Sequence, residues 1–168
     1  MVRWPGGWAA LARVTQALPP RSRLRRALVR RNALSGWGAW VRGDLELVRV
    51  RFSPDYHYEP PREWLIAGMP SAYHGHAGLD QWAADLNEAW QFLDHTPLEL
   101  VDTGDALAFL CKIRLRARRS GIELDSHLGQ VFWFERGLIV RERDFGDWNE
   151  ALRVIGVCEE AERSSQPH

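Results

Sequence analysis

The sequence has few cysteines and no long apolar run. Only Cys111 and Cys158 occur among 168 residues, and neither belongs to a CxxC pair or to a metal-ligand spacing. This pattern favours free thiols in a reducing compartment, and we expect a cytoplasmic protein. No stretch approaches the roughly 20 apolar residues that a membrane helix needs, so no membrane partner is expected.

An excess of charge of either sign is also lacking. The chain has 22 Lys and Arg against 22 Asp and Glu, which gives a formal net charge of zero. Such a balance offers no reason to expect nucleic acid as a partner. Residues 21–31 are locally basic, but they contain no aromatic side chain on which a base could stack. We interpret this segment as a solvated helix face.

Length and composition fit one globular domain with short tails, without internal repeats. The chain is 45% hydrophobic and 26% charged, which is an ordinary balance for a folded core. Residues 1–20 are rich in proline and glycine and predict a poorly ordered leader, in which Arg13 interrupts the apolar stretch that a signal peptide requires. The domain is expected over 21–157, followed by a polar tail over 158–168. The nine tryptophans indicate either core packing or an apolar pocket.

The hydrophobic period changes from helical to alternating along the chain. A helix from Ser22 to about 42, a second short helix after Asp44 and a long amphipathic helix over 79–93, ending near His95, are predicted. The short aromatic strand 56–59 and the loop 60–75 precede the long helix. Alternation then predicts four strands and a last helix, over 98–102, 106–116, 122–134, 138–145 and 148–157. Helices segregated from an antiparallel sheet define an α+β fold.

Short motifs in a fixed order carry a family resemblance over roughly 30–157. They are RGDL at 42–45, FSPD at 52–55, YHGHAGL at 73–79, DTGD at 102–105, RSG at 119–121 and FERGLIVR at 134–141. Together they resemble the nuclear-transport-factor-2-like superfamily, in particular its SnoaL-like branch, which includes polyketide cyclases and relatives of ketosteroid isomerases. The resemblance implies a cone-shaped, curved antiparallel sheet wrapped around the long helix, an apolar cavity inside the cone, and often a homodimer through the outer face of the sheet.

The same resemblance implies two candidate site residues. Glu59, in Tyr58-Glu59-Pro60, resembles the general-base carboxylate of ketosteroid isomerases, and burial would raise its pKa into a useful range. Gln130 takes the place of their oxyanion-stabilising acid, and its amide can donate a hydrogen bond to a carbonyl oxygen. Alternatively, Glu59 is solvated at the rim and Gln130 is a satisfied core amide. Gly36 stands where those isomerases have a tyrosine, so their phenolic donor is missing and steroid isomerisation is not expected.

Three further candidates come from strand alternation. Glu142 and Asp144 share the face of Val140, and two carboxylates facing a cavity are costly unless they are paired, hydrated or functional. Close carboxylates can share a proton and divide the roles of acid and base. The alternative is that the strand end has left the cavity and both are solvated. His57 shares the face of Glu59 and can orient it, or it is a structural histidine.

No metal site is expected, because the His74-x-His76 pair lacks a third ligand at motif spacing. Cys111 lies on an apolar face without a base and is read as a core residue. Six apolar side chains are expected to line the pocket: Trp64, Met69, Trp82, Phe109, Phe132 and Phe134.

Two functional hypotheses remain open. In the first, the cavity binds a small apolar carbonyl-bearing ring compound, and its carboxylates perform isomerase-, cyclase- or hydrolase-like acid–base chemistry without a cofactor. In the second, the chain is a non-catalytic ligand- or protein-binding module. It would be dimeric through the strand faces of Ala108, Leu110, Val131 and Trp133.

Overall fold

The computed structural model of the chain describes residues 5–65 and 68–157. Helices and strands in this part of the chain confirm the expected α+β class. The helices are α1 (Pro5–Ala17), α2 (Arg23–Val41), α3 (Leu45–Arg49), α4 (Gly75–Ala89) and α5 (Trp148–Val154), with a 3-10 turn at Arg62–Trp64. The strands are β1 (Phe52–Glu59), β2 (Tyr73–His74), β3 (Trp90–Asp102), β4 (Ala106–Ala117), β5 (Glu123–Glu135) and β6 (Leu138–Phe145).

The helix starts follow the capping residues in the sequence. The Ser22 hydroxyl accepts a hydrogen bond from the backbone N–H of Arg25 at 3.0 Å and caps α2. Gly43 ends this segment with a positive φ of 69°, which glycine adopts without strain. The Asp44 carboxylate then accepts from the N–H of Leu47 at 3.1 Å and caps α3. Both predicted helix starts are confirmed.

One curved sheet contains all six strands, in the order β2-β1-β6-β5-β4-β3. The pairs among β3, β4, β5 and β6 are antiparallel, as predicted, whereas β1 runs parallel to β6. The apolar stripe of α4 packs into the concave face of the sheet and buries Leu79, Trp82 and Leu86. The parallel pairing sets Tyr58 beside Glu142, a neighbourhood that an all-antiparallel sheet would not create.

The third strand begins earlier than the sequence predicts. Helix α4 ends at Ala89, and Trp90 has extended angles (φ −127°, ψ 148°) where helical spacing had predicted continuation to about His95. From Trp90 onwards β3 pairs with β4 as far as Ala117. The backbone groups of β4 need partners over their whole length, and this requirement overrides the local helical pattern.

Residues 5–17, predicted as part of a poorly ordered leader, form helix α1. Its C-terminal end is held by Arg25, whose guanidinium donates to the carbonyl oxygens of Gln16 and Leu18 at 2.8 and 3.0 Å. The same guanidinium donates to both carboxylate oxygens of Asp102 at 2.6 and 2.9 Å. Arg25 is therefore buried, unlike the solvated basic face expected for the segment 21–31.

Helix α5 covers part of the outer face of the sheet. Ala108, Leu110 and Val131 are at most 2% exposed within a single chain, and they pack with Ala151 of α5 in one cluster. This burial corrects the expected dimer surface, because three of its four residues are already covered. The fourth, Trp133, is half-buried beneath the guanidinium of Arg141, whose carbon lies 5.0 Å from the ring centre.

In the part of the chain that the structure describes, no helix combines the length and apolar character needed to span a bilayer.

Candidate functional site

A cavity of about 170 Å³ lies between the concave face of the sheet, α2 and α4. Helix α1 also contributes to its wall, through Ala12, Thr15 and Gln16. The wall includes five of the six expected apolar side chains: Trp64, Trp82, Phe109, Phe132 and Phe134. Met69 does not line this cavity; it packs against the neighbouring core.

Two carboxyl groups on β6 face the cavity side by side. Glu142 and Asp144 are 7% and 5% exposed and both line the cavity. Gln130 of β5 pairs in register with Asp144, and its amide nitrogen lies 3.3 Å from an oxygen of each carboxyl. Strand alternation therefore placed all three side chains correctly. The amide of Gln130 is directed at the two carboxyls, so it holds them in place.

Two tyrosines of β1 complete the cluster. The Tyr56 hydroxyl donates to Glu142 Oε2 at 2.8 Å, and the Tyr58 hydroxyl donates to Asp144 Oδ2 at 2.9 Å. Both rings are 1% exposed, and burial raises the pKa of both phenols well above the usual value, so they remain neutral donors. The second oxygen of Asp144, Oδ1, is buried and has no partner among the described residues.

Burial and mutual repulsion set the protonation of the carboxyl pair. Removal from water raises the pKa of Glu142 well above its usual value, and the charge of Asp144 raises it further. Burial likewise raises the pKa of Asp144 to about 7, against hydrogen bonds from Tyr58, Gln130 and Glu142 that favour its charged form. Near neutral pH the coupled pair therefore retains a proton that two isolated carboxyl groups would have released.

Glu59 and His57 lie on the opposite face of β1. Glu59 accepts a hydrogen bond from Arg141 at 3.0 Å and lies 3.1 Å from His57 Nε2. Partial burial acts to raise the pKa of Glu59, but the hydrogen bonds from Arg141 and His57 lower it overall. Neither residue lines the cavity. The expected orientation of both is therefore wrong: the inward positions of β1 belong to Tyr56 and Tyr58.

The sequence contained a signal for these tyrosines. Phe52, Tyr56 and Tyr58 are the apolar alternation of β1, and His57 and Glu59 are its polar alternation, so period-two patterning alone places the tyrosines inward. Glu59 therefore lacks the inward position that its resemblance to the isomerase base implied.

The remaining histidine candidates and Cys111 make contacts typical of residues that support the fold. His76 contacts the carbonyl oxygen of Phe52 at 3.1 Å, and the Nδ1 atoms of His57 and His74 lie 3.2 Å apart on the outer face. Residues 5–65 and 68–157 contain no group of three or more side chains suited to hold a metal ion. Burial raises the pKa of Cys111 to about 12, so it stays a thiol. Cys158 lies outside the described residues.

Comparisons with known proteins agree with this fold. The SnoaL-like domain family matches residues 36–142. An NTF2-like protein of unknown function from Burkholderia pseudomallei is 23% identical with a TM-score of 0.60, covering 75% of this chain and 95% of its own. TerC, co-crystallised with polyporic acid, is 17% identical with a TM-score of 0.58, covering 74% and 95%.

A third similar structure is a protein with a ketosteroid isomerase-like fold from Catenulispora acidiphila, in complex with trimethylamine. It is 14% identical with a TM-score of 0.55, covering 74% of this chain and 92% of its own. At these identities the likeness concerns the fold alone, and no curated protein matches the sequence. The match to the family over most of the domain, joined to the six-stranded curved sheet around α4, shows that the chain belongs to the SnoaL-like domain family.

Proposed function

We propose that the cavity binds a small apolar ring compound that carries a carbonyl group, and that Glu142 and Asp144 transfer protons to and from it. The observation that carries this proposal is the buried carboxyl pair with one unpartnered oxygen, Asp144 Oδ1. A buried acceptor without a partner is costly, and a ligand in the cavity would relieve that cost. TerC, which has a similar fold, was co-crystallised with polyporic acid, a ring compound that carries carbonyl groups, and this supports the choice of ligand.

The two carboxyl groups suit different roles. Ionised Asp144 would remove a proton from the carbon next to the carbonyl, and the C–H electron pair would form a carbon–carbon double bond. Glu142, which keeps its proton, would donate it to the carbonyl oxygen as that oxygen gains charge, giving the enol. Return of the Asp144 proton to another carbon of a conjugated ligand, with the enol proton going back to Glu142, would give an isomer. Attack of the enol carbon on a second carbonyl would form a carbon–carbon bond, with the Asp144 proton passing to the second carbonyl oxygen and the enol proton returning to Glu142.

The surrounding side chains would position this pair. Gln130 spans the two carboxyls, and Tyr56 and Tyr58 each donate to one of them. These contacts leave Asp144 Oδ1 as the oxygen that is available to a substrate. The site is built within one chain. A homodimer, if formed through the sheet, would need an outer surface other than the one that α5 covers.

The proposal can be tested without knowing the natural substrate. The protein is incubated in D2O with apolar ring ketones, including 2-tetralone and 4-phenylbutan-2-one, and loss of the α-proton signals is followed by NMR. We expect exchange above the buffer rate, because proton removal next to the carbonyl is the proposed step. Asp144→Asn should reduce this exchange by about 100-fold or more, and Glu142→Gln should also reduce it.

The matched control is Glu123→Gln, which alters an exposed carboxylate that pairs with Arg116 on the solvent side. With this variant, the α-protons of the ketones should exchange at the rate seen with the unaltered protein. Equal exchange by Asp144→Asn and the unaltered protein would refute the assignment of the base. Ligand-induced melting shifts with no exchange for any ketone would support the alternative, a binding module without catalysis.

A further inference from the structure

A second group of unpartnered polar atoms lines the same cavity. The oxygen of the Asn32 side chain, the indole nitrogen of Trp37 and the Nε2 nitrogen of His95 are all buried. None has a hydrogen-bond partner among the described residues, and all three residues line the cavity. We refer to Asn32, Trp37 and His95 as the α2–β3 cluster, because two lie on α2 and one on β3.

The fold places all three side chains on the wall of one cavity and brings Trp37 and His95 into contact. Asn32 and Trp37 belong to the face of α2 that lines the cavity with Val29, Ala33, Gly36 and Trp40. The Trp37 ring meets His95 edge-on, with centroids 5.8 Å apart, and His95 stacks on Phe92 at 5.7 Å. Two aromatic neighbours thus fix the plane of the imidazole within the wall.

His95 is a neutral hydrogen-bonding group in this position. Burial lowers its pKa to about 4, against the attraction of Asp94, so the ring carries no charge near neutral pH. A neutral imidazole has one donor and one acceptor nitrogen. The α2–β3 cluster therefore offers at least one donor, the Trp37 indole, and at least one acceptor, the Asn32 oxygen.

The cluster is well separated from the carboxyl pair. Asp144 pairs with Gln130, which pairs with Phe109 of β4, whereas His95 pairs with Ile113, four residues further along β4. Four strand residues correspond to about 13 Å. Two strands, β5 and β4, also lie between β6 and β3 in the sheet. A compact ligand at Asp144 would not reach His95, whereas an elongated one would.

From this arrangement we infer that the α2–β3 cluster is a second binding subsite, which takes a hydroxyl group at the far end of an elongated, otherwise apolar ligand. A hydroxyl is one group that both donates and accepts, so it would serve the neighbouring Trp37 and His95 together. The inference rests on the proposed function for the identity of the other end of the ligand, the carbonyl at Asp144. Buried polar groups of this kind discriminate strongly between a ligand that has the matching hydroxyl and one that lacks it.

Two ketones that differ by one hydroxyl test this inference. They are 4-(biphenyl-4-yl)butan-2-one and 4-(4′-hydroxybiphenyl-4-yl)butan-2-one, whose hydroxyl lies at the far end, roughly 13 Å from the carbonyl oxygen, and so matches the separation along β4. Affinity is measured by calorimetry or NMR titration, and proton exchange is not the readout. We expect the hydroxylated ketone to bind about tenfold more tightly. Trp37→Phe removes one ring nitrogen and His95→Phe removes two, and each keeps an aromatic ring. Each should therefore shrink that ratio while sparing the affinity for the plain ketone.

A measurement on the unaltered protein tests the subsite even if the variants fail to fold. The Trp37 indole and His95 imidazole resonances should shift with the hydroxylated ketone and not with the plain one. Equal affinities for the two ketones, no binding of either at millimolar concentration, or a ratio that persists in both variants would overturn the subsite. The Asp144→Asn variant separates the two proposals: the affinity ratio should survive in it while exchange is lost.

Discussion

The buried carboxyl pair contributes stability that is lost as pH rises through the neutral range, whereas His95, whose pKa burial lowers to about 4, contributes in the opposite direction. The ordinary pKa of Asp144 is 3.8, which applies to the unfolded chain, and burial raises it to about 7 in the fold. Its folded form therefore keeps a proton that the unfolded chain has already released. Stability from this group is fully present below about pH 4 and is lost progressively as pH rises to about pH 7 and just beyond.

The magnitude follows from the size of the pKa difference. One pKa unit corresponds to about 1.4 kcal/mol. The interval between pH 5 and pH 7 lies between the unfolded and folded pKa values of Asp144, and the group is already partly ionised in the fold near its upper end. This group alone should lower the free energy of unfolding by about 2 kcal/mol over that interval. Glu142, whose pKa is also raised, acts in the same direction.

Guanidinium denaturation at several pH values between about pH 5 and pH 8 measures this slope. The double variant Glu142→Gln/Asp144→Asn removes both titrating groups, keeps similar shapes and retains His95. The free energy of unfolding of the unaltered protein minus that of the double variant therefore isolates the pair, and it should fall by about 2 kcal/mol or more from pH 5 to pH 7. Glu123→Gln is the control, because Glu123 is an exposed carboxylate and its replacement leaves the buried pair intact. Parallel pH profiles for the unaltered protein and the double variant would refute the reasoning, since the pair would then not hold an extra proton in the fold.

Three further predictions follow from other contacts. Arg25→Met leaves Asp102 without its buried partner and should lower the free energy of unfolding, measured by guanidinium denaturation, by about 3 kcal/mol. An unchanged free energy of unfolding would show that this pair does not hold α1. Gly129→Ala places a Cβ 2.5 Å from that of Ala151 and should cost about 1–3 kcal/mol by the same measurement, whereas an unaltered midpoint would contradict the close packing of α5. Glu59→Gln should leave ketone proton exchange unchanged, because Glu59 lies on the outer face of β1; a large loss of exchange would return that residue to the mechanism.

Gly7→Ala is a matched control for the glycine substitution, because a Cβ at Gly7 meets no atom within 4 Å. It should leave the denaturation midpoint close to that of the unaltered protein.

The α+β class, the helix caps and most element positions were predictable because they depend on local patterns. Ser22 and Asp44 cap helices through their immediate neighbours, and the alternation of β6 fixed the inward direction of Glu142 and Asp144. The start of β3 at Trp90 was not predictable in this way, because helical spacing continues past the end of α4 and only the need to pair β4 decides against it.

Part of the candidate site was predictable because it also depends on local patterns. Gln130 and the two carboxyls follow from alternation within single strands. The hydroxyl donors depend on the parallel pairing of β1 with β6, a long-range contact that no local pattern specifies. The α2–β3 cluster likewise joins a helix and a strand far apart in the sequence, so His95 had been read only as the end of a helix.

The parallel pairing of β1 with β6 determines when the carboxyl site forms during folding. Each tyrosine is 86 positions from the carboxyl to which it donates. Contacts of such long sequence separation close slowly, and neither half of the polypeptide holds the complete acid pair with its donors. Glu142 and Asp144 would titrate as ordinary carboxylates until β6 docks beside β1, so their raised pKa values are gained only with that long-range contact.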